Sequence, residues 1–332
     1  MDILALDIGG SKLMAAAVSL SRDRVDIGRI AHRSLGGGER YTTDDLVALI
    51  DDAVSELGTF PFERIGATIP GLADPQTGMW LYASYSGIRN FPIANILSAR
   101  YGNRPVSIEN DVNACALAEK MYGICRDVDN YLWMTVSNGI GGGLVLDGKP
   151  YQGYFGNAAE VGHFRMVEQD GFRCGCGNFG CLEAEAAGPG IIRRYRRLLP
   201  SNGLDGKTAD GRRQTAADAS DTLTARDVVE KAKAGDRVAQ EVVETTGTLI
   251  GKALSYVTNL LNLQRIVLGG GVMQSFDQFY PSMEKTFQAS LFKDANPSVR
   301  IEKSALGYNA ALIGAASLTL PFGQPQGVAP TY

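Results

Sequence analysis

The stretch "ILALDIGGSKLMAAAVSL", residues 3–20, runs apolar strand, glycine turn, apolar strand. A second stretch, "NYLWMTVSNGIGGGLVLDGKP", residues 130–150, repeats that layout in the other half of the chain. Short apolar runs bounded by glycine read as strands. The repetition points to one fold unit used twice, with a cleft between the copies.

Outward from these hairpins, "TTDDLVALIDDAVSEL" (42–57) places Leu46, Leu49, Ile50, Val54 and Leu57 near helical spacing, with Thr43 or Asp44 as the expected N-cap. "RIGATIPG" (64–71), "PVSIEN" (105–110) and "QRIVLGGGV" (264–272) read as strands running into turns, and "DVNACALAEKMYG" (111–123) has helix-forming composition. Residues 223–262 read as long and helical with a break at Gly235-Asp236, and 307–320 as a closing helix. Residues 200–221 carry few aliphatics and many small polar residues, which predicts a surface loop, and the tail from 321 is expected to be mobile.

A length of 332 residues suggests two domains. The net charge of −4 gives no broad basic surface for nucleic acid. The one basic cluster, "RRYRR" (193–197), reads as a solvated helix face. The opening "MDILALDIGG" lacks the basic start of a signal peptide, and no apolar run reaches the length of a membrane span. A cytoplasmic protein with neither nucleic-acid nor membrane partners is expected.

The chain has only two histidines and five cysteines, yet "GHFRMVEQDGFRCGCGNFGCLE" (162–183) holds one histidine and three cysteines. His163, Cys174, Cys176 and Cys181 form an H-x10-C-x-C-x4-C pattern, and three thiolates with one imidazole suit structural zinc (Zn2+). The glycines between them permit the tight turns needed to wrap a small ion. A single disulfide would strand the third thiol, and nothing points to an oxidising compartment. Cys115 and Cys125 sit among apolar residues and read as core thiols.

Three glycine turns can present backbone N–H groups to phosphate: "DIGGSK" (7–12), "SNGIGGG" (137–143) and "LGGGV" (268–272). Two look-alikes fail. "GIGGGL" lacks the last glycine of a dinucleotide fingerprint and is followed by strand-like residues, not a helix. "GLVLDGKP" has Pro150 where a phosphate-binding loop needs Ser or Thr. In "IENDVNA", Glu109, Asn110, Asp111 and Asn113 fall where a strand turns into a helix. Asp111 there is either a helix cap or a general base that takes a proton from a hydroxyl attacking phosphorus. Glu160 and His163 directly precede the cysteines and Glu183 follows them. Such Asn, Asp, Glu and His groups suit a polyhydroxy ligand, whose hydroxyls both donate and accept.

Taken in order, "DIGGSK", "IPG", "ENDVNACALAE", "NGIGGGLVLDGKPYQGYFGNAAEVGH", "CGCGNFGCLEA" and "IVLGGGV" resemble the ROK family of repressors, open-reading-frame proteins and sugar kinases, from Ile3 to about Leu318. The resemblance implies an α/β, actin-like ATPase (ribonuclease H-like) duplicated fold. A smaller N-terminal domain would span 1–115, completed by a C-terminal helix at about 307–320, and a larger domain 116–306 would carry the zinc knot. It implies ATP-dependent phosphorylation of a hexose or N-acetylhexosamine, with magnesium (Mg2+) and in a homodimer. Asp111 would be the base and Asp7 would help hold magnesium through water. Gly9, Gly10, Ser11 and Lys12 would lie near the phosphates, with Asn138, Gly139, Gly141 and Gly142 closing from the other domain and Gly269, Gly270 and Gly271 flanking the nucleotide. The sugar would meet Gly71, Asn110, Asp111, Glu160, His163 and Glu183, with Ser84 and Asn90 as further contacts. His163 would bind zinc through one ring nitrogen and face the sugar with the other.

Two positions depart from the family pattern. Asn138 stands where a threonine is usual, keeping a donor but losing a hydroxyl, and "ASYSGIRNF" (83–91) replaces the "NLGW" of the family's glucokinases. The alternatives are a catalytically silent sugar-binding or sugar-sensing protein and a kinase using polyphosphate. The repressor branch carries a DNA-binding domain ahead of the first glycine turn. That turn begins here at Asp7, so no such domain is expected.

Overall fold

The computed structural model describes residues 1–21, 23–35, 42–83, 86–199 and 223–320. The first unit contains β1 (Asp2–Ile8), β2 (Lys12–Leu20), β3 (Val25–Ser34), α1 (Thr43–Leu57) and β4 (Arg64–Ile69). A small sheet of β5 (Leu72–Asp74), β6 (Met79–Tyr82) and β7 (Arg89–Phe91) follows, then α2 (Ile93–Arg100), β8 (Val106–Asn110) and α3 (Asp111–Met121). The second unit starts with β9 (Tyr131–Val136), β10 (Ile140–Leu146) and β11 (Lys149–Tyr151), followed by α4 (Leu182–Ala186) and α5 (Gly188–Leu198). It ends with α6 (Ala225–Lys233), α7 (Arg237–Leu261), β12 (Arg265–Gly269), α8 (Phe276–Ser290) and β13 (Arg300–Lys303), after which α9 (Ala310–Ser317) returns to the first sheet.

The two main sheets have the same plan. The first runs β3-β2-β1-β4-β8 and the second β11-β10-β9-β12-β13. In each, a hairpin pairs antiparallel and two further strands add in parallel. This is the duplicated α/β architecture of actin-like ATPases, and the two hairpins quoted at the outset, 3–20 and 130–150, are its matching parts. β1 and β9 are almost wholly apolar because the centre of a sheet covered on both faces has no solvated side. One face of the first sheet packs Leu4, Leu6 and Ile65 against Leu46 and Ile50 of α1. The opposite face packs Ile3 and Ala5 against Leu312 and Ala315 of α9. A Cβ on Gly66 would lie 1.8 Å from Ala315 O, so only glycine lets α9 ride this close to β4. The second core gathers Leu132, Ile266 and Leu268 against Ile250, Leu254, Phe279 and Phe287 from α7 and α8.

The cap of α1 is Thr42, one residue before the expected Thr43 or Asp44. Thr42 Oγ1 accepts from Asp45 N at 3.1 Å while Asp45 Oδ2 accepts from Thr42 N at 2.9 Å, a reciprocal box that selects this register. The break at Gly235-Asp236 has a similar origin: Asp236 Oδ1 accepts from Ala239 N at 3.0 Å and starts α7. The structure adds β3, the small sheet, α2 and α8, to which the sequence reading assigns no elements. β3 alternates weakly between buried and exposed positions, and β5 and β7 are three residues each, too short for a periodic signal. The expected loop at 200–221 and the tail from 321 lie outside the described residues. Among the described residues no helix is long and apolar enough to cross a membrane.

Candidate active site

β1 delivers Asp7 to the cleft, and β4 delivers Thr68 beside it, in parallel register. Thr68 Oγ1 donates to Asp7 Oδ1 at 3.0 Å. β8 ends at Asn110 and α3 begins at Asp111. The helix cap is Asn110, whose Oδ1 accepts from Val112 N at 3.0 Å. Asp111 Oδ1 lies 3.0 Å from the same nitrogen, leaving Oδ2 for the cleft. Asp7 and Asp111 face one cavity of about 460 Å³, together with Gly9, Gly10, Ser11 and Lys12 from the first turn. Asn138, Gly139, Gly270 and Gly271 close it from the second unit.

Burial pushes the carboxyl of Asp7 up, against the pull of the Thr68 hydrogen bond and the Lys12 charge. Asp111 is pushed up to about 7, first by burial and then by the negative charge of Asp7. Two carboxylates crowded this way raise each other's proton affinity. A divalent cation relieves that repulsion, so the donor set fits magnesium beside a bound triphosphate. A base with a value near neutrality is well placed to accept a proton.

A second cavity, of about 640 Å³, opens on the far side of Asp111. Gly71, Asn110, Glu160, His163 and Glu183 line it, as do Gly139, Gly141 and Gly142. Gly141 and Gly142, expected near phosphate, therefore face this side, because the β10 pleat carries them past the turn. Gly71 has φ +82°, and a Cβ there would meet Tyr82 O at 2.3 Å, which is why the turn after Pro70 takes glycine. Asn110 Nδ2 donates to Gly71 O at 2.9 Å, tying the PG turn to the strand end that carries Asp111. Leu72, Tyr82 and Asn157 complete the wall. Leu72 and Tyr82 do not stand out in the sequence, since the strands that place them are too short to read, and Asn157 lies in the loop between β11 and Glu160. Asn90 does not line these cavities; it is exposed on β7 at φ +47°. Ser84 lies outside the described residues.

The candidate metal centre forms the floor. The ligand atoms of His163, Cys174, Cys176 and Cys181 all lie within 4.8 Å of one another. His163 Nδ1 is 3.7 Å from Cys174 Sγ, and the Cys176 and Cys181 sulfurs are 3.7 Å apart. That is far beyond a disulfide bond, and it matches the ~3.8 Å edge of a tetrahedron with metal–sulfur bonds of about 2.3 Å. The group fits zinc. His163 Nε2 points the other way, 3.6 Å from Glu160 Oε2. Glu183 Oε2 accepts from Ile140 N at 3.0 Å, and its Oε1 lies 3.8 Å from Cys174 Sγ. Glu183 therefore braces the second glycine turn as well as lining the cavity.

A third cavity, of about 860 Å³, adjoins the first and is walled by the start of α5 and by α6, with Gly188, Ile192, Thr224 and Val229. Lys12, Ser137, Asn138, Gly271, Gln274 and Tyr308 line both it and the 460 Å³ cavity, marking the passage between them. Gly269 is not on the passage. It is the last residue of β12, and a Cβ there would strike the Trp133 ring at 2.5 Å. Cys115 is buried at the floor of the 460 Å³ cavity and Cys125 within the core. The α5–α6 wall and Tyr308 have no sequence signal; only the returning chain brings them here.

Residues 3–321 match the profile of the ROK family. A glucokinase of Halalkalibacterium halodurans is 31% identical, with 94% of this chain and 92% of that one covered. An N-acetyl-D-glucosamine kinase of Haemophilus influenzae is 29% identical, with 95% and 98% covered. The DNA-binding transcriptional dual regulator NagC of Escherichia coli is 31% identical over 76% of this chain, which spans 59% of that protein's length. The crystal structure of a ROK family glucokinase from Streptomyces griseus, in complex with glucose and AMPPNP, superimposes with a TM-score of 0.78 at 29% identity, covering 96% of this chain and 99% of that one. The chain belongs to the ROK family.

Proposed function

We propose that this sugar kinase passes the terminal phosphoryl group of ATP to a hydroxyl of a hexose or N-acetylhexosamine, with Asp111 as the general base. The observation that carries this is the place of Asp111, on the wall between the 460 Å³ cavity of glycine turns and the 640 Å³ cavity of Asn, Glu and His groups. An acceptor hydroxyl in the second cavity reaches Asp111 as it faces a phosphoryl group in the first. Asp111 takes the hydroxyl proton as the new O–P bond forms and the bond to the ADP oxygen breaks. The 860 Å³ cavity suits the nucleoside. Asp7 would hold magnesium through water, and the ion supplies neutralisation of the charge on the transferring group.

His163, Cys174, Cys176 and Cys181 would hold zinc, which supplies a structural cross-link. His163 then keeps Nε2 for the acceptor side, next to Glu160. Asn110 and Glu160 offer the acceptors and donors that sugar hydroxyls need.

The test is ADP release with Mg-ATP against glucose, mannose, fructose, allose, N-acetylglucosamine and N-acetylmannosamine, with the phosphorylated sugar identified by mass. Sugar-dependent release is expected. The likeness to NagC favours a second reading, sugar sensing without turnover. Sugar binding with no ADP release from any member of the panel would select it.

A further inference from the structure

Lys12 and Tyr308 meet at the passage between the 860 Å³ and 460 Å³ cavities, although 296 positions separate them in the chain. Lys12 Nζ donates to Tyr308 Oη at 2.6 Å and sits 3.9 Å from the ring centroid. The ammonium is thus placed over the phenol end of the ring, a cation–π contact reinforced by a hydrogen bond. The pair is open to solvent, with Tyr308 59% exposed, so by itself it contributes little to stability. Here it stands where a phosphate chain must pass on its way from the nucleoside cavity to Asp111.

The hydroxyl of Tyr308 has a further use. A phenol carries one O–H donor as well as its lone pairs. Lys12 occupies a lone pair, and no acceptor for the O–H is present among the described residues. The ammonium likewise has donors to spare. The backbone leading to Tyr308 is anchored. It lies on the short turn Gly307–Asn309 that starts α9, after Leu306 N donates to Ser304 Oγ at 3.3 Å and Ser304 Oγ donates to Glu119 Oε1. Glu119 belongs to α3, whose first residue is Asp111. Tyr308 and Asp111 are therefore mounted on one frame.

We infer that Tyr308 is a donor-binding residue: its hydroxyl donates to a phosphate oxygen of the nucleotide, and its ring fixes the Lys12 ammonium beside the same phosphate chain. This rests on the kinase reading above. It adds a residue that neither the glycine turns nor the family motifs mark.

Tyr308→Phe and Tyr308→Ala are compared with the wild-type protein in steady-state kinetics and in binding of ATP, inorganic tripolyphosphate and adenosine. Loss of a hydrogen bond to a charged phosphate is expected to raise KM for ATP about ten-fold in Tyr308→Phe. Tripolyphosphate binding should weaken by the same factor, while adenosine binding and the sugar KM stay within about two-fold. Tyr308→Ala should weaken phosphate binding further, and adding Lys12→Met to it should cost less than Lys12→Met does alone, because the two side chains act together. Tripolyphosphate affinity unchanged in Tyr308→Phe, or adenosine lost in equal measure, would overturn the inference. Turnover by the wild-type protein tests the kinase reading separately, and tripolyphosphate binding decides the role of Tyr308 whatever the sugar assay returns.

Discussion

Glu183 Oε2 accepts a hydrogen bond from the backbone N–H of Ile140 at 3.0 Å, joining the segment of the candidate metal centre to the second glycine turn. The neighbouring Gly139 has no room for a side chain, since a Cβ would lie 2.6 Å from the same carboxylate oxygen. Glu183, two residues after Cys181, thus ties the segment of the candidate metal centre to the turn at Gly139.

Loss of the proposed zinc should therefore be felt on both sides of Asp111. Cys176 is exposed, so Cys176→Ala removes a ligand without opening the core. The variant should lose bound zinc, measured by elemental analysis. Its sugar affinity should fall at least about ten-fold, as removal of second-sphere support does elsewhere, with a smaller fall in nucleotide affinity. A zinc-free variant with wild-type sugar affinity would refute the bracing role.

Activity should depend on pH through Asp111. Its carboxyl is pushed up to about 7, and only the ionised form accepts a proton. The apparent kcat/KM should fall about ten-fold per unit below pH 7 and level off above it. Stability of the ligand-free protein runs the other way. The unfolded chain sheds this proton near 3.8 and the folded chain near 7, so the folded state binds more protons in that window. Stability is then lost as pH rises through it. Asp111→Asn should melt higher than wild type at pH 8 and close to it at pH 4, by thermal denaturation without ligands. A lower melting temperature for the variant at pH 8 would show that the Asp111 carboxylate is not strained.

Ala159 has φ +67°, a left-handed conformation unusual for a residue with a Cβ, directly before Glu160. The Ala159 carbonyl oxygen lies 2.8 Å from where a Cβ of Gly142 would stand, so the chain passes close to β10 at this point. Ala159→Gly should relieve about 1–2 kcal/mol of strain and lose part of that to unfolded-chain entropy. A net gain of about 0.5–1 kcal/mol in denaturant unfolding is expected. A destabilised variant would show that the alanine methyl has packing worth more than the strain.

Much of this site was legible where its physics is local. The strand end at Asp111 and the clustering of His163 with Cys174, Cys176 and Cys181 come from short stretches of chain, and the structure brings each together where the sequence pattern points. The duplicated sheet was legible because each hairpin carries its own apolar code. The misses are long-range. Tyr82 and Tyr308 reach the cleft through elements of four and three residues, and the α5–α6 wall comes from helices whose own pattern records only the core. Gly269 looked like part of a phosphate turn, but its lack of a side chain answers to Trp133. Thr42 displaced Thr43 and Asp44 as a cap because only its partner three residues on, Asp45, can close the box.

The most direct test of the central claim is Asp111→Asn, with sugar binding measured by calorimetry and turnover measured as sugar-dependent ADP release. The amide keeps the shape of the side chain and cannot take the proton. Turnover should fall at least about 100-fold while the sugar dissociation constant moves no more than about three-fold. Turnover retained within about ten-fold would contradict Asp111 as the base and leave it only the first residue of α3.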